Sequence, residues 1–426
     1  MLSYYYANMI TLYHAKVKLE RKEYMNRYDL ITPEGTRDLL FEECLARREV
    51  ETRLEKLFLG FGYSEVVTPG IEFYDLFMGS SRNFRQENLY KLVDSKGRLM
   101  ALRPDSTIPI ARLAATRLAD AELPLRLYYN QNVFENNALL KGRSDEIAQA
   151  GIELIGGKNF KRADYEVMCT AVNALASFDK DNFRFEIGHI GFYKELVSQL
   201  NVDKSVSEEI RLLISTKNYP ALNDLLDEIG DNKITNALKQ LPRLFGGAEV
   251  LDKASELFDD DKITEILNHL REVYNRLANM GYEDKISLDL GIVSHTDYYT
   301  GIVFNGYFSG VGQAVLKGGR YDKLLGEFGH DAPAVGVGVN CDLIAEYLLK
   351  NQLSPKVKTA DCIVYGKKGC VVEALVFGQE LVNKGLTIEN SLFDTIEETK
   401  EYAKKKGIPK IYVIDQNDDV TEITVE

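Results

Sequence analysis

The chain contains 426 residues, of which 45% are hydrophobic and 27% are charged. At about 150 residues per domain, this length predicts two or three domains and a large hydrophobic core. The composition excludes a wholly disordered chain, collagen and a small disulfide-stabilised protein. Asp and Glu outnumber Lys and Arg by 65 to 52, which gives a net charge of −13. Because affinity for nucleic-acid phosphates comes mostly from Lys and Arg, this charge argues against a general nucleic-acid-binding protein.

The cysteines and the N-terminal residues indicate a cytoplasmic protein. The five cysteines are scattered without C-x-x-C spacing, as expected for reduced thiols in the cytosol. No apolar run approaches the roughly 20 residues of a membrane-spanning helix. Residues 1–24 lack the apolar core of a secretory signal. We treat residues 1–25 as an N-terminal extension, and Met25 is an alternative start of the native chain.

The first half of the chain predicts one long helix followed by several strands. Apolar residues at helical spacing follow a turn at residues 32–38, and Gly60 ends this helix. Residues 63–69 alternate in polarity and are rich in β-branched side chains, which predicts a strand. Further strands are predicted at residues 89–93, 98–102, 125–134 and 147–155.

The second half of the chain divides into a helical segment, more strands and a small terminal domain. A helical, charged pattern predicts an insertion at about residues 195–280, within a core that spans residues 26–350. Strand patterns return at residues 286–293, 301–308 and 334–339. Ser354 and Pro355 mark a linker, and alternating strand and helix patterns then predict a small α/β domain over residues 359–426.

Four polar motifs lie in or beside the predicted strands. They are Arg103-Pro104-Asp105-Ser106-Thr107, Gln149-Ala150-Gly151-Ile152-Glu153, Asp297-Tyr298-Tyr299-Thr300 and Gly318-Gly319-Arg320-Tyr321-Asp322. Gln149 and Glu153 are four residues apart on one strand, so their side chains share a face of the sheet. Each motif alone is compatible with a strand-end salt bridge, a turn or an edge aromatic residue. Together they predict a face lined by carboxylates, an amide and phenols, which suits a small cationic or zwitterionic ligand.

Other motifs point to neither a cofactor nor a metal. Residues 151–158 resemble a phosphate-binding loop, but Gly157 stands where its lysine is required and no Ser or Thr follows Lys158. The five histidines are isolated in the sequence, without a partner at metal-ligand spacing. We therefore expect no cofactor and no metal site.

In this order the motifs resemble class II aminoacyl-tRNA synthetases, most closely the histidyl-tRNA synthetase family. Thr32-Pro33-Glu34-Gly35-Thr36-Arg37-Asp38 is similar to the start of those enzymes, Thr68-Pro69-Gly70-Ile71 to the end of their dimer motif, and the four polar motifs to their amino-acid pocket. The resemblance covers about residues 28–350. It implies an α+β fold, with an antiparallel sheet flanked by helices, a helical insertion and a small C-terminal α/β domain. It also implies a homodimer formed through the segment around Pro69.

Three departures from that family concern the positive charges that bind ATP. Where the family has arginines, this chain has Glu135, Ser294 and Leu343. A carboxylate beside a triphosphate is repulsive rather than neutral. Because adenylation depends on cations that neutralise the developing phosphate charge, we expect no aminoacylation activity and no catalytic residues.

An amino-acid pocket without an ATP site resembles the regulatory subunits of ATP phosphoribosyltransferase, which are synthetase paralogs. In that family a short catalytic subunit condenses ATP with phosphoribosyl pyrophosphate, and the synthetase-like subunit is needed for its activity and carries feedback inhibition by histidine. The resemblance implies that this chain is a non-catalytic homodimer within a hetero-oligomer, with L-histidine as allosteric ligand and neither tRNA nor membrane as partner. An active histidyl-tRNA synthetase and a free-standing histidine sensor are the alternatives.

The resemblance also implies where histidine binds. The residues carried over are Asp105, Thr107, Gln149, Glu153, Tyr298, Tyr299 and Arg143. Asp105 and Thr107 would bind the α-ammonium group, with Gln149 beside them. Glu153 would accept an imidazole N–H, and Tyr298 or Tyr299 would flank the ring.

The α-carboxylate of histidine is the weak point of this predicted site. Its usual arginine partner is replaced by Ser294 in this chain, so we name Arg143 as a candidate for the role.

Overall fold

The computed structural model describes residues 28–79, 84–136, 144–257, 260–293, 298–417 and 419–425. The chain divides between Ser354 and Pro355 into a larger unit and a C-terminal unit. This division falls where the sequence pattern indicates a linker. In the described residues, no helix is both long and apolar enough to cross a membrane.

The helices of the larger unit begin with the long one that the sequence predicts. Those in its described residues are α1 (Glu42–Gly60), α2 (Thr107–Thr116), α3 (Phe160–Phe178), α4 (Ile190–Ser198), α5 (Lys204–Ser215), α6 (Tyr219–Ile229), α7 (Lys233–Leu238), α8 (Glu249–Leu257), α9 (Asp261–Leu277) and α10 (Cys341–Lys350). Helix α1 begins at Glu42 because Phe41 has a φ of 43°, which a right-handed helix cannot include. Helix α3 is capped by the Asn159 side chain, which accepts the Arg162 N–H at 3.1 Å.

The strands of the larger unit form a main sheet and a small one. They are β1 (Ser64–Glu65), β2 (Ile71–Phe73), β3 (Lys91–Val93), β4 (Leu99–Leu102), β5 (Leu125–Phe134), β6 (Glu146–Ile155), β7 (Phe183–His189), β8 (Phe245–Gly246), β9 (Ile286–Asp289), β10 (Ile302–Phe308), β11 (Leu316–Arg320) and β12 (Ala334–Asn340). The main sheet has the order β1-β5-β6-β12-β11-β10-β7-β9-β8, and the small sheet has the order β2-β4-β3. In the main sheet, the pairs β1–β5 and β7–β9 are parallel and the rest are antiparallel. This mainly antiparallel sheet with flanking helices confirms the predicted fold class.

Two strand predictions were wrong in extent. Of residues 63–69, only Ser64–Glu65 pairs in the sheet. The Thr68 N–H is donated instead to the Gln131 side chain at 3.2 Å, and Pro69 has no N–H to donate. The strand predicted over residues 286–293 ends at Asp289, whose carboxylate turns back to accept the Gly291 N–H at 2.8 Å.

The helices α4 to α9 follow one another between β7 and β9. Their apolar side chains join the largest core cluster, which also contains the buried side of α1, α3 and α10. The short strand β8 lies among these helices and pairs with β9, whereas the sequence pattern predicted no strand there. These helices therefore attach to the sheet at its β7–β9 end.

The two faces of the main sheet carry different residues. One face, with Ile152 and Val337, belongs to the large apolar core. The other face, with Tyr129 and Tyr321, contacts helix α2 and a smaller cluster of buried residues. The polar motifs of the sequence lie on this second face.

The C-terminal unit is a four-stranded sheet between two helices. Its elements are β13 (Cys362–Gly366), α11 (Val371–Asn383), β14 (Ile388–Asn390), α12 (Ile396–Lys406), β15 (Lys410–Ile414) and β16 (Val420–Thr424). The strand order is β14-β13-β15-β16, with only β16 antiparallel to its neighbour. Each face of this sheet has its own apolar cluster, so the helices cover opposite sides.

Candidate functional site

The floor of the site is made by glycines on neighbouring strands. Glu153 on β6 pairs with Gly336 on β12, which pairs with Gly319 on β11. A Cβ on Gly336 would lie 1.7 Å from Glu153 Oε2, and one on Gly319 would lie 2.8 Å from the Tyr299 ring. Both positions require glycine because a carboxyl group and an aromatic ring lie flat against the backbone there.

Glu153 is the buried centre of the site, with 1% of its surface exposed. Thr107 Oγ1 donates to Glu153 Oε1 at 2.7 Å, and the Tyr321 hydroxyl donates to Oε2. Burial raises the pKa of Glu153 to about 8, against the opposing effect of these two hydrogen bonds. Burial therefore shifts this carboxyl group toward its protonated form near neutral pH.

Asp105 supplies a second carboxyl group, just before helix α2. Its Oδ1 accepts the Ile108 N–H at 3.2 Å, and its Oδ2 accepts the Tyr298 hydroxyl at 3.3 Å. Burial raises the pKa of Asp105 to about 6, although both hydrogen bonds favour the ionised form. The pKa of Asp105 is lower than that of Glu153, so Asp105 ionises more readily than Glu153.

Three tyrosine rings form a wall beside the two carboxyl groups. The ring centroids of Tyr298 and Tyr299 are 4.8 Å apart, and those of Tyr298 and Tyr321 are 5.8 Å apart. Burial raises the pKa of all three phenols far above their usual value. They remain protonated, so they act as hydrogen-bond donors and as an apolar surface for a ring.

Gln149 lies on the same face of the sheet, four residues before Glu153 on β6. Its Oε1 accepts the Tyr129 hydroxyl at 3.0 Å. Its amide nitrogen lies against Gly338, where an added Cβ would be 3.2 Å away. This arrangement fixes the amide plane of Gln149 above the sheet.

Most of the residues predicted from the sequence are therefore close together. Direct contacts connect Thr107 to Glu153, Asp105 to Tyr298, and Tyr298 to Tyr299. Gln149 shares their sheet face. Arg143 and Ser294 lie outside the described residues.

Two tyrosines of the site were missed by reasoning from the sequence. Tyr321 belongs to one of the four polar motifs but was not named as a site residue, although strand alternation from Gly319 places it on the face of Glu153. Tyr129 gave no local signal, because its contact with Gln149 depends on the pairing of β5 with β6.

Arg320 points away from the pocket and into a buried charge cluster. Its guanidinium donates to Asp164 Oδ1 through Nε at 2.9 Å and to Asp322 at 2.7 Å. His269 Nε2 lies 3.1 Å from the other oxygen of Asp164. His269 is thus isolated in the sequence but not in space.

Two of the three positions where the arginines are absent are described, and neither presents a cation. The Glu135 N–H donates to the Asp145 carbonyl at 2.8 Å. Leu343 packs against the large core cluster in the first turn of α10. The neighbouring Asp342 pairs with Arg47 of α1.

Comparison with known proteins agrees with this architecture. The family model of histidyl-tRNA synthetase matches residues 35–344. A solved histidyl-tRNA synthetase from Nostoc sp. PCC 7120 matches with a TM-score of 0.74 over 93% of this chain and 97% of that protein. At 21% sequence identity, this match supports the fold alone. The fold and the site thus define a class II synthetase-like protein of the histidyl-tRNA synthetase type.

More similar relatives identify a particular branch of this class. The ATP phosphoribosyltransferase regulatory subunit from Clostridium kluyveri is 41% identical, and the match covers 88% of this chain and 97% of that protein. The regulatory subunit from Clostridium acetobutylicum is 39% identical, and the match covers 92% of this chain and 96% of that protein. A solved ATP phosphoribosyltransferase regulatory subunit/histidyl-tRNA synthetase from Bacillus halodurans is 28% identical, has a TM-score of 0.77 and covers 92% of this chain and 98% of its own. This chain belongs to the family of ATP phosphoribosyltransferase regulatory subunits. The names of these relatives confirm the prediction of a regulatory rather than a catalytic subunit.

Proposed function

We propose that the chain, as regulatory subunit, binds L-histidine in this pocket and transmits feedback inhibition to a short catalytic subunit of ATP phosphoribosyltransferase. The observation that carries the proposal is Glu153, a buried carboxyl group held by two hydroxyl donors at the end of an aromatic wall. Burial makes the ionised form of this carboxyl group costly, and an imidazolium ring would supply the opposite charge that favours it.

The chemical groups of histidine match the groups of the pocket. The α-ammonium group fits between Asp105 and Gln149, where an ionised carboxylate and an amide oxygen are acceptors. The imidazole ring fits along the tyrosine wall and reaches Glu153. Thr107 connects the two ends of the proposed site because it follows Asp105 by two residues in the chain and donates to Glu153.

Inhibition by histidine requires an energetic link between this pocket and the catalytic subunit. Histidine must bind more tightly to the inhibited assembly than to the active one. By the same linkage, the catalytic subunit in its active form must weaken histidine binding. The site functions in the cytoplasm, as a sensor of the end product of the pathway.

The exposed face of the small sheet supports a homodimer within the larger assembly. Ile71 and Phe73 alternate on one face of β2 and are 46% and 48% exposed. Leu92 on β3 lies on the same face through its pairing with Met100, and is 41% exposed. A second copy of the chain would cover this apolar face.

Glu153 provides a direct test of the histidine site. Calorimetry should show that L-histidine binds the wild-type chain and binds Glu153→Gln at least about tenfold more weakly, because the amide cannot ionise opposite the imidazole. Glu389→Gln, a partly exposed glutamate of the C-terminal unit, is the matched control and should bind like wild type. Equal binding by wild type and Glu153→Gln would remove Glu153 from the site.

The same preparation separates the alternatives. An active histidyl-tRNA synthetase would exchange pyrophosphate into ATP when histidine is added, and we expect no such exchange. A free-standing sensor would bind histidine without changing the activity of a short phosphoribosyltransferase.

A further inference from the structure

The chain segment that carries Tyr321 also carries a buried charge on the opposite side of the sheet. Tyr321 directly follows β11 and donates its hydroxyl to Glu153 in the pocket. The preceding residue, Arg320, points to the other side by strand alternation. Its side chain is 5% exposed there and donates to Asp164 through Nε at 2.9 Å and through Nη2 at 2.7 Å. A ligand that displaces Tyr321 therefore acts on a buried ion pair.

Asp164 divides its two carboxylate oxygens between this strand and the helical insertion. Its Oδ1 accepts both hydrogen bonds from Arg320, and its Oδ2 lies 3.1 Å from Nε2 of His269 on α9. The side chains of Asp164 and His269 are 1% and 7% exposed. Because separating a buried ion pair leaves an uncompensated charge, Asp164 follows a shift of β11 rather than parting from it. The shift then reaches α9 through His269.

The same arginine is attached to the aromatic wall of the pocket. The Arg320 carbonyl accepts the N–H of Thr300 at 2.8 Å, and Thr300 directly follows Tyr299. Asp322 accepts the Arg320 guanidinium at 2.7 Å and donates its own N–H to Thr300 Oγ1 at 3.0 Å. Tyr299 and Tyr321 are thus both adjacent to residues that Arg320 holds in place.

His269 is held through one of its two ring nitrogens. Among the described residues, none makes a hydrogen bond to its Nδ1, although this atom is buried. The ring centroids of Phe160 and Tyr165 lie 5.7 and 6.3 Å from that of His269, so aromatic side chains flank the imidazole. An unpaired buried nitrogen is costly, and a movement of the ring breaks no hydrogen bond at this atom. The contact with Asp164 therefore determines where the ring lies.

We propose that His269 is a positioning residue that couples the histidine pocket to the helical insertion through Asp164 and Arg320. This inference rests on the proposed function, because it supplies a route for the energetic link that feedback inhibition requires. Histidine bound between Glu153 and the tyrosine wall restrains β11, and Asp164 passes this restraint to α9. The occupied pocket stabilises one position of α9, and by linkage the same position of α9 favours histidine binding.

Hydrogen exchange with and without saturating L-histidine measures this coupling in the full chain. The quantity of interest is the excess protection of α9 over α6, a helix of the same insertion that contributes no side chain to the Asp164 cluster. A bound ligand slows exchange through global unfolding by an equal factor in both helices, so the excess reports the local effect. We expect the excess in wild type to be at least about fivefold, the lower end of usual coupling factors.

Variants on either side of Asp164 test the route. His269→Leu removes the contact with Asp164, and Arg320→Lys keeps the charge but not the fork that holds two carboxylates. Saturated with histidine, both should lack the excess protection of α9. His269→Gln should keep it, because its amide nitrogen can donate to Asp164 in place of Nε2. Asn268→Leu, at the exposed neighbouring position of α9, is the matched control and should behave like wild type.

Two kinds of result would overturn the role of His269. The first is wild type that binds histidine without excess protection of α9. The second is an excess that persists in His269→Leu, or that is lost equally in Asn268→Leu. Persistence would favour a route through α4, where Lys194 donates to the Tyr299 carbonyl at 3.0 Å. A wild-type chain that does not bind histidine would contradict the proposed function itself, and calorimetry distinguishes that failure from this one.

Discussion

At the scale of single residues, the pocket was predictable where its members share a strand or a motif. Gln149 and Glu153 follow from strand alternation, and Asp105 and Thr107 follow from one short motif. The contact between Tyr321 and Glu153 joins residues 168 positions apart and depends on the order of strands in the sheet. Strand alternation gives the face on which Tyr321 lies but not its partner on a distant strand, so Tyr321 was not named as a site residue.

The two pocket carboxyl groups make the stability of the empty protein depend on pH. Their folded pKa values of about 6 and about 8 lie above the ordinary values of 3.8 and 4.5. The folded state thus binds more protons than the unfolded state, so these groups favour folding at low pH and lose that contribution as the pH rises toward 8.

The affinity for histidine should rise as Asp105 ionises, whereas the contribution of Asp105 to folding stability falls. The α-ammonium group needs ionised Asp105, so affinity should fall by up to about tenfold per pH unit below about pH 6. Calorimetry from about pH 5 to about pH 7 on wild type and Asp105→Asn measures this effect, since both proteins share the titrations of Glu153 and of the ligand imidazole and differ in that of Asp105. Identical pH profiles for the two proteins would contradict the assignment of Asp105.

At the scale of elements, long helices and strands followed the sequence pattern, and short pairings did not. Strand β1 consists of two residues, and two positions beyond it the Thr68 N–H donates to the Gln131 side chain instead of to a neighbouring strand. Strand β8 consists of Phe245–Gly246 and is defined only by its pairing with β9. Both depend on distant partners, so hydrophobic period alone could neither limit the first nor reveal the second.

The buried cluster around Asp164 ties together three elements, α3, α9 and β11. The side chains of Asp164 and Arg320 are 1% and 5% exposed. Asp164→Ala should lower the free energy of unfolding by about 3 to 5 kcal/mol, because it leaves the guanidinium buried with one carboxylate instead of two. Urea denaturation followed by circular dichroism measures the loss. Lys161→Ala, which removes a surface pair with Glu272, is the control and should cost less than about 1 kcal/mol. An equal loss of stability in both variants would contradict the stabilising role of the buried Asp164 cluster.

The small sheet should carry the contact between two copies of the chain. Phe73→Asp would place a charge in the centre of the apolar face formed with Ile71 and Leu92. We expect analytical ultracentrifugation to show a dimer for wild type and a monomer for this variant. Leu212→Asp, at a 40% exposed position of α5, is the control and should remain dimeric. A dimer that survives Phe73→Asp would place the interface elsewhere.

At the scale of the whole molecule, the charge of the chain argues against tRNA as a partner. Residues 355–426 contain ten lysines, no arginine and thirteen Asp or Glu residues. Recognition of a phosphate backbone relies on clustered Arg and Lys, and arginine is best suited to bidentate phosphate contacts. The acidic balance of the C-terminal unit supports the proposed function, in which tRNA is not a partner of this chain.

The most direct test of this account is a reconstitution of ATP phosphoribosyltransferase activity. A short catalytic subunit is assayed alone, with this chain, and with this chain and L-histidine. We predict that the chain raises activity by roughly tenfold or more, and that histidine reverses this gain in the wild-type complex but not in one with Glu153→Gln. No activation by the chain, or histidine-dependent exchange of pyrophosphate into ATP by the chain alone, would contradict the account.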